Sequence, residues 1–118
     1  MSERVIVTGG RGYTDRDVVF NALDGLLKEF GGLMEIAEGG AMGADHLARV
    51  WADRNDVKRR TFEARWDLDG PKAAGPIRNR RMLQEFCPTL VAAFPGNRGT
   101  ANMMRIARDA GVPVREFS

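Results

Sequence analysis

Three times in this chain a short apolar, strand-like run passes at once into a glycine-rich loop and then into a helical pattern. The runs are Arg4 to Thr8, Met34 to Glu38 and Thr89 to Phe94. The loops that leave them are GGRGYTD (Gly9 to Asp15), EGGAMGAD (Glu38 to Asp45) and PGNRGT (Pro95 to Thr100), and they hold eight of the 14 glycines. Parallel strands need a long crossover, whereas antiparallel ones close with a tight hairpin. A repeated strand–loop–helix unit therefore points to a parallel sheet covered by helices on both faces.

The remaining pattern agrees. Thr14-x-x-Asp17 resembles a capping box, and Val19, Ala22, Leu23, Leu26, Leu27 and Phe30 follow at helical spacing until Gly31-Gly32. Ala44, Leu47, Ala48 and Trp51 mark a second helix beginning near Gly43, with Trp51 in the core. Val57 to Glu63 reads as a third strand, placed at the sheet edge because Lys58, Arg59 and Arg60 dilute its apolar character. A loop holding Trp66, Asp67, Asp69, Gly70 and Pro71 follows. Pro76 then suits the first turn of a helix whose apolar side is Ile77, Met82, Leu83 and Phe86. Thr89 to Phe94 is continuous and apolar, as expected of a strand covered on both faces. Met103, Ile106, Ala107 and Ala110 form the last helical stripe, Gly111 ends it, and Val112 to Phe117 is the final strand. The expectation is one doubly wound, Rossmann-like α/β domain over residues 1–118, with five strands in order 3-2-1-4-5 and about four helices.

Composition removes several classes of function. No apolar run approaches the roughly 18 residues of a membrane span, so no membrane partner is expected. The opening Met-Ser-Glu-Arg runs directly into a strand, leaving no room for a signal peptide, and a cytoplasmic location is expected. Eighteen basic against sixteen acidic residues leave a formal charge of +2, too little to diagnose a nucleic-acid binder. The lone Cys87 and lone His46 argue against a disulfide, a multi-cysteine zinc site or a structural metal. No metal and no cofactor are expected.

In doubly wound sheets, ligands settle at the carboxyl ends of the strands where the winding reverses, here between the first and fourth strands. The loops at Gly9 and Pro95 leave those two strands, and the loop at Gly39 leaves their neighbour. Glycine lets backbone N–H groups approach an anion, and the following helix adds unpaired N–H groups and its dipole. A ligand- and phosphate-binding rim is therefore expected from Gly9, Gly10, Arg11, Gly39, Gly40, Gly43, Asp45, Arg78, Asn79, Pro95, Gly96, Asn97, Arg98, Gly99 and Thr100, with Gly39, Gly40 and Asp45 bordering the ribose or base. Tight strand–helix turns need glycine in any case, so one such loop alone would mean little. None of the loops matches the Gly-x-x-x-x-Gly-Lys-Ser/Thr P-loop or a full dinucleotide motif. Arg80 and Arg81 read as solvated helix charges, His46 as a surface or capping residue, and Asp67 and Asp69 as turn formers. Trp66 either stacks on a base or covers the sheet edge. Cys87 reads as a small buried hydrophobe.

The succession VTGGR, EGGAMGAD, AGPIRNRRM and FPGNRGT resembles the SLOG superfamily, named for the DNA-uptake protein DprA (Smf) and the Lonely Guy enzymes. Within it the chain is most similar to the YspA-like, cpYpsA-related branch, from Val5 to Val114. Lonely Guy enzymes cleave the base from nucleoside 5′-monophosphates with a Pro-Gly-Gly-x-Gly-Thr-x-x-Glu motif and an upstream Arg-Lys-x-x-Met. Here the first becomes Pro95-Gly96-Asn97-Arg98-Gly99-Thr100-Ala101-Asn102-Met103, with Met103 in place of the catalytic Glu. The second becomes Arg78-Asn79-Arg80-Arg81-Met82. A thioether neither stabilises an oxocarbenium-like transition state nor carries a proton. Glu38, Asp45, Asp15 and Asp67 are the acids that stand near the rim.

The resemblance thus implies binding of a nucleotide or nucleotide sugar by its phosphate, in the manner of a sensor. A nucleotide N-glycosidase with a relocated acid, in which Arg78 is catalytic, is the alternative. Single-stranded DNA binding of the DprA type is a weaker one, because no basic stretch interleaves aromatics. The resemblance also implies a homo-oligomer.

Overall fold

The computed structural model describes residues 2–118 and alternates strand and helix throughout. The elements are β1 (Glu3–Thr8), α1 (Arg16–Glu29), β2 (Met34–Glu38), α2 (Ala44–Arg54), β3 (Arg59–Thr61), α3 (Trp66–Phe86), β4 (Leu90–Ala93), α4 (Arg98–Asp109) and β5 (Val114–Glu116). The strands form one sheet in the order β3-β2-β1-β4-β5, and every neighbouring pair is parallel. This is the Rossmann-like α/β architecture expected from the alternation.

Strand periodicity divides the core into two layers. Val5 and Val7 of β1 and Leu90 and Ala92 of β4 face α1 and α2, where Val19, Leu23, Leu26, Ala48 and Trp51 complete a buried cluster. Ile6 and Val91, between them in sequence, face α3 and α4 and meet Met82, Phe86, Met103 and Ala107. Burying one side chain of this size stabilises by ~1.5–3 kcal/mol, so both layers contribute substantially. The chain thus winds outward over one face as far as β3, and α3 carries it back across the other face to β4. The reversal falls between β1 and β4, where Thr8 is in register with Ala93. Among the described residues, no helix is long and apolar enough to cross a membrane.

Local details differ from the sequence pattern in instructive places. The cap of α1 is Asp15, whose carboxylate accepts from the Val18 N–H at 3.2 Å, one residue beyond the Thr14 start. Trp66 to Asp69 form a helical turn of their own, and Gly70, at φ 81° and ψ 165°, interrupts the helix. The main body of α3 therefore starts at Pro71, whose ring presets the required φ, and Pro76 lies inside it. Cys87 is exposed rather than buried and ends α3 in the left-handed region, at φ 52°. Pro88 supplies the reason, since the residue before a proline is sterically disfavoured in the right-handed helical region. The edge strand β3 keeps only Arg59, Arg60 and Thr61 of the expected Val57 to Glu63 run.

Candidate functional site

At the reversal, the three glycine loops clasp one another through main-chain bonds. The Gly10 N–H donates to the Pro95 carbonyl at 2.8 Å, and the Gly10 carbonyl accepts from Ala44 N–H and Tyr13 N–H, each at 3.2 Å. Gly43, at φ 74°, starts α2 directly against this turn, and a Cβ there would collide with the Gly10 and Arg11 carbonyls. A Cβ at Gly9 would come within 2.5 Å of the Ala44 Cβ. At Gly9 and Gly43, close approach between the loops, rather than loop mobility, accounts for the glycine.

The clasp leaves a cavity of about 220 Å³ at the carboxyl ends of β1 and β4. Thr8, Gly9, Gly10 and Arg11 form one side; Asn97, Gly99 and Thr100 form another; Asp45 and Arg78 close it. Asn97 makes no side-chain cap to α4, and Ala101 N–H already bonds the Asn97 carbonyl. The N–H groups of the first helical turn have no intrahelical acceptor, so the positive end of α4 meets the cavity at Gly99 and Thr100.

Arg78 is anchored from behind. Its Nη1 donates to the Gly39 carbonyl at 2.6 Å and its Nε to Asn79 Oδ1 at 2.9 Å. Burial lowers its pKa from the ordinary value; nearby Asp45 opposes that shift, while Arg11 and Arg81 add to it. Asn79 is itself buried and donates through Nδ2 to the Gly99 carbonyl and to Asn102 Oδ1. It therefore ties α3 to the start of α4 and acts from outside the cavity.

Among the four acids near the rim, only Asp45 lines the cavity. Glu38 is fully buried and engaged by Arg49 at 2.7 Å, the Gly40 N–H at 2.8 Å and the Thr61 hydroxyl. Asp15 is the α1 cap, and Asp67 is exposed in the turn before Gly70. Asp45 is 6% exposed, and its Oδ2 accepts from Gly39 N–H at 3.1 Å and Ala41 N–H at 3.3 Å. Burial pushes its carboxyl up to about 6, helped by the Glu38 charge and opposed by those two N–H groups and Arg78.

This shift has a consequence for stability. With a folded pKa of about 6 against an ordinary 3.8, the folded chain holds more protons than the unfolded one between those values. Asp45 therefore makes stability fall as pH rises through that window and level off above it. Asp45→Asn keeps an oxygen for the Gly39 and Ala41 N–H groups. It should match the parent protein near pH 3.5 and exceed it by about 2–3 kcal/mol at pH 7. Urea denaturation of both proteins across that range checks it; parallel pH profiles would contradict it.

A second cavity of about 220 Å³ adjoins the first through Arg11, Ala41 and Arg78 and adds Gly39, Gly40, Glu63, Ala64 and Trp66. The Arg11 guanidinium lies 5.3 Å from the centroid of the Trp66 ring. The rim residues expected from the sequence thus separate. Gly9, Gly10, Arg11, Asp45, Arg78, Asn97, Gly99 and Thr100 meet in the first cavity, and Gly39 and Gly40 stand in the second. Pro95 and Gly96 line a different hollow with Phe117, Gly43 lies at the clasp beside the apolar hollow under Met42, and Arg98 lines none of these. Glu63 and Ala64 were not expected, because nothing in their local sequence separates them from a polar turn. Arg81 is also less free than expected, since its Nη2 donates to the Glu63 carbonyl at 2.7 Å.

The model of the YspA, cpYpsA-related SLOG family matches residues 3–68, a span from β1 through the Gly39 loop to the turn at Trp66. The chain belongs to that family. This SLOG chain is also 38% identical over 122 residues to the Gene 61 protein of Mycobacterium phage D29, covering 97% of this chain and 95% of that protein. The DNA processing protein A (DprA) structure from Streptococcus pneumoniae matches 98% of the SLOG chain, with a TM-score of 0.79 and 19% identity. This likeness is one of fold. The chain spans 50% of the length of that structure.

Proposed function

We propose that this SLOG domain binds a nucleotide or nucleotide-derived ligand by its phosphate, in the cavity between β1 and β4, and acts by binding rather than by turnover. The observation that carries the reading is convergence: the uncapped start of α4 and the Arg78 guanidinium border the same cavity. Each hydrogen bond to a charged group contributes ~1.5–3 kcal/mol, so two or three suffice for micromolar to millimolar affinity. The position of the Lonely Guy glutamate holds Met103, which is buried with Ile6, Val91 and Ala107 and supports binding over hydrolysis. Among the described residues Trp66 is the one aromatic lining the two cavities, which does not favour a stacking track for single-stranded DNA.

A second reading rests on Asp45. Among the described residues its Oδ1 has no hydrogen-bond partner, it borders the cavity with Arg78, and its carboxyl at about 6 holds a proton at mildly acidic pH. As an N-glycosidase acid it would give that proton to the departing base as the C1′–N bond breaks, and the water that adds its oxygen to C1′ would return a proton to the carboxylate.

Calorimetric titration with ribose 5-phosphate and with ribose decides between binding and none. Saturable heat for the phosphorylated sugar alone is expected. Incubation with the four nucleoside 5′-monophosphates should leave the bases attached; release of free base, lost in Asp45→Asn, would favour the second reading.

A further inference from the structure

The second cavity has the chemistry of a base-recognition pocket, and it continues directly from the phosphate cavity through Arg11 and Arg78. Trp66 supplies an indole that is 45% exposed, with the Arg11 guanidinium over its ring. Both groups are flat and polarisable, and both stack on nucleobases. The Glu63 side chain lies against Gly40, where a Cβ would stand 3.0 Å from Glu63 Cγ and 3.5 Å from Oε1. Its backbone is held by Arg81 at 2.7 Å. Among the described residues its carboxylate makes no hydrogen bond and no ion pair, although six other acidic side chains are paired with arginines.

We infer that Trp66, Arg11 and Glu63 form a subsite selective for guanine, so that the ligand is a guanine nucleotide. This rests on the phosphate reading above. An ionised carboxylate is an acceptor only. Guanine offers it two adjacent donors, N1–H and the N2 amino group. Adenine and cytosine each present one amino donor beside a ring nitrogen lone pair, which the carboxylate repels. Uracil presents a single N–H between two carbonyl oxygens. An unpaired carboxylate lining the same cavity as a stacking surface therefore discriminates for guanine and against the other three bases. The purine also covers more of the indole face than a pyrimidine does.

Calorimetry with ribose 5-phosphate and the four nucleoside 5′-monophosphates tests this. Guanosine 5′-monophosphate should bind about tenfold or more tightly than the other three and than ribose 5-phosphate. Glu63→Gln should shrink that advantage to about threefold or less, since an amide offers one acceptor and one donor. Trp66→Ala should weaken the guanine nucleotide toward ribose 5-phosphate, and both variants should cost the guanine nucleotide several-fold more than they cost ribose 5-phosphate. Both residues are exposed, so both variants should fold. Equal affinity for all four nucleotides, or a guanine advantage that survives Glu63→Gln, would overturn the subsite while ribose 5-phosphate binding upholds the phosphate site. Failure of every phosphorylated ligand to bind would remove both.

Discussion

Gly43→Ala should lower the unfolding free energy by about 3–5 kcal/mol, a large part of the ~5–15 kcal/mol that a domain of this kind possesses. Gly43 stands at φ 74° and ψ −130°, a conformation strained for any residue with a Cβ. The added methyl would also strike main-chain atoms of Gly10 and Arg11, which cannot swing aside as the end of a side chain does. Relief requires moving the start of α2 away from the first loop, which breaks the Ala44 N–H to Gly10 carbonyl bond and disturbs the Gly10 bond to Pro95. Gly25→Ala is the informative control. It lies inside α1, where a new Cβ would meet nothing within 4 Å beyond the helix's own backbone and its chain neighbours, and should stabilise by about 0.5–1 kcal/mol. Urea midpoints of the two variants should therefore move in opposite directions. A Gly43→Ala midpoint equal to the parent's would mean that the three loops are not held against one another.

That pair of glycines also marks what was legible in the amino-acid sequence. Strand order and crossover followed from the alternation of apolar runs with glycine turns, because a right-handed strand–helix–strand unit leaves few topologies. Val5, Val7 and Ile6 show their opposite faces by period alone. The positions that escaped depend on contacts far apart in the chain. Asn79 reads as a polar helix residue until α3 is laid beside α4, where it spans from Gly99 to Asn102. Glu38 looks like a rim acid, yet Arg49 and Thr61 enclose it completely. Gly96 and Gly99 look equivalent in PGNRGT; a Cβ at Gly96 would strike Thr100 and Gly10, whereas Gly99 is open and borders the cavity. Local pattern identifies a loop, but only the packing of three loops sorts ligand-facing positions from those that hold the loops together.

The same sorting gives the largest expected effect on binding. Arg78→Ala should weaken ribose 5-phosphate and nucleoside monophosphate binding by about 10–100-fold, the equivalent of one strong charge-assisted hydrogen bond. Its Nη1 and Nε are occupied by Gly39 and Asn79, which fixes the guanidinium plane and leaves Nη2 without a partner among the described residues. Arg78→Lys should recover only part of the loss, because a point charge cannot bond Gly39 and the ligand in the same fixed fork. Arg98 sits at the start of α4 as well, but it is exposed and lines neither of the two cavities. Arg98→Ala should therefore change affinity by about threefold or less, the screened effect of an exposed charge. Denaturation curves for all three variants separate loss of affinity from loss of fold. If Arg98→Ala abolished binding and Arg78→Ala did not, the phosphate would belong on the outer side of α4, and the cavity between β1 and β4 would need another occupant.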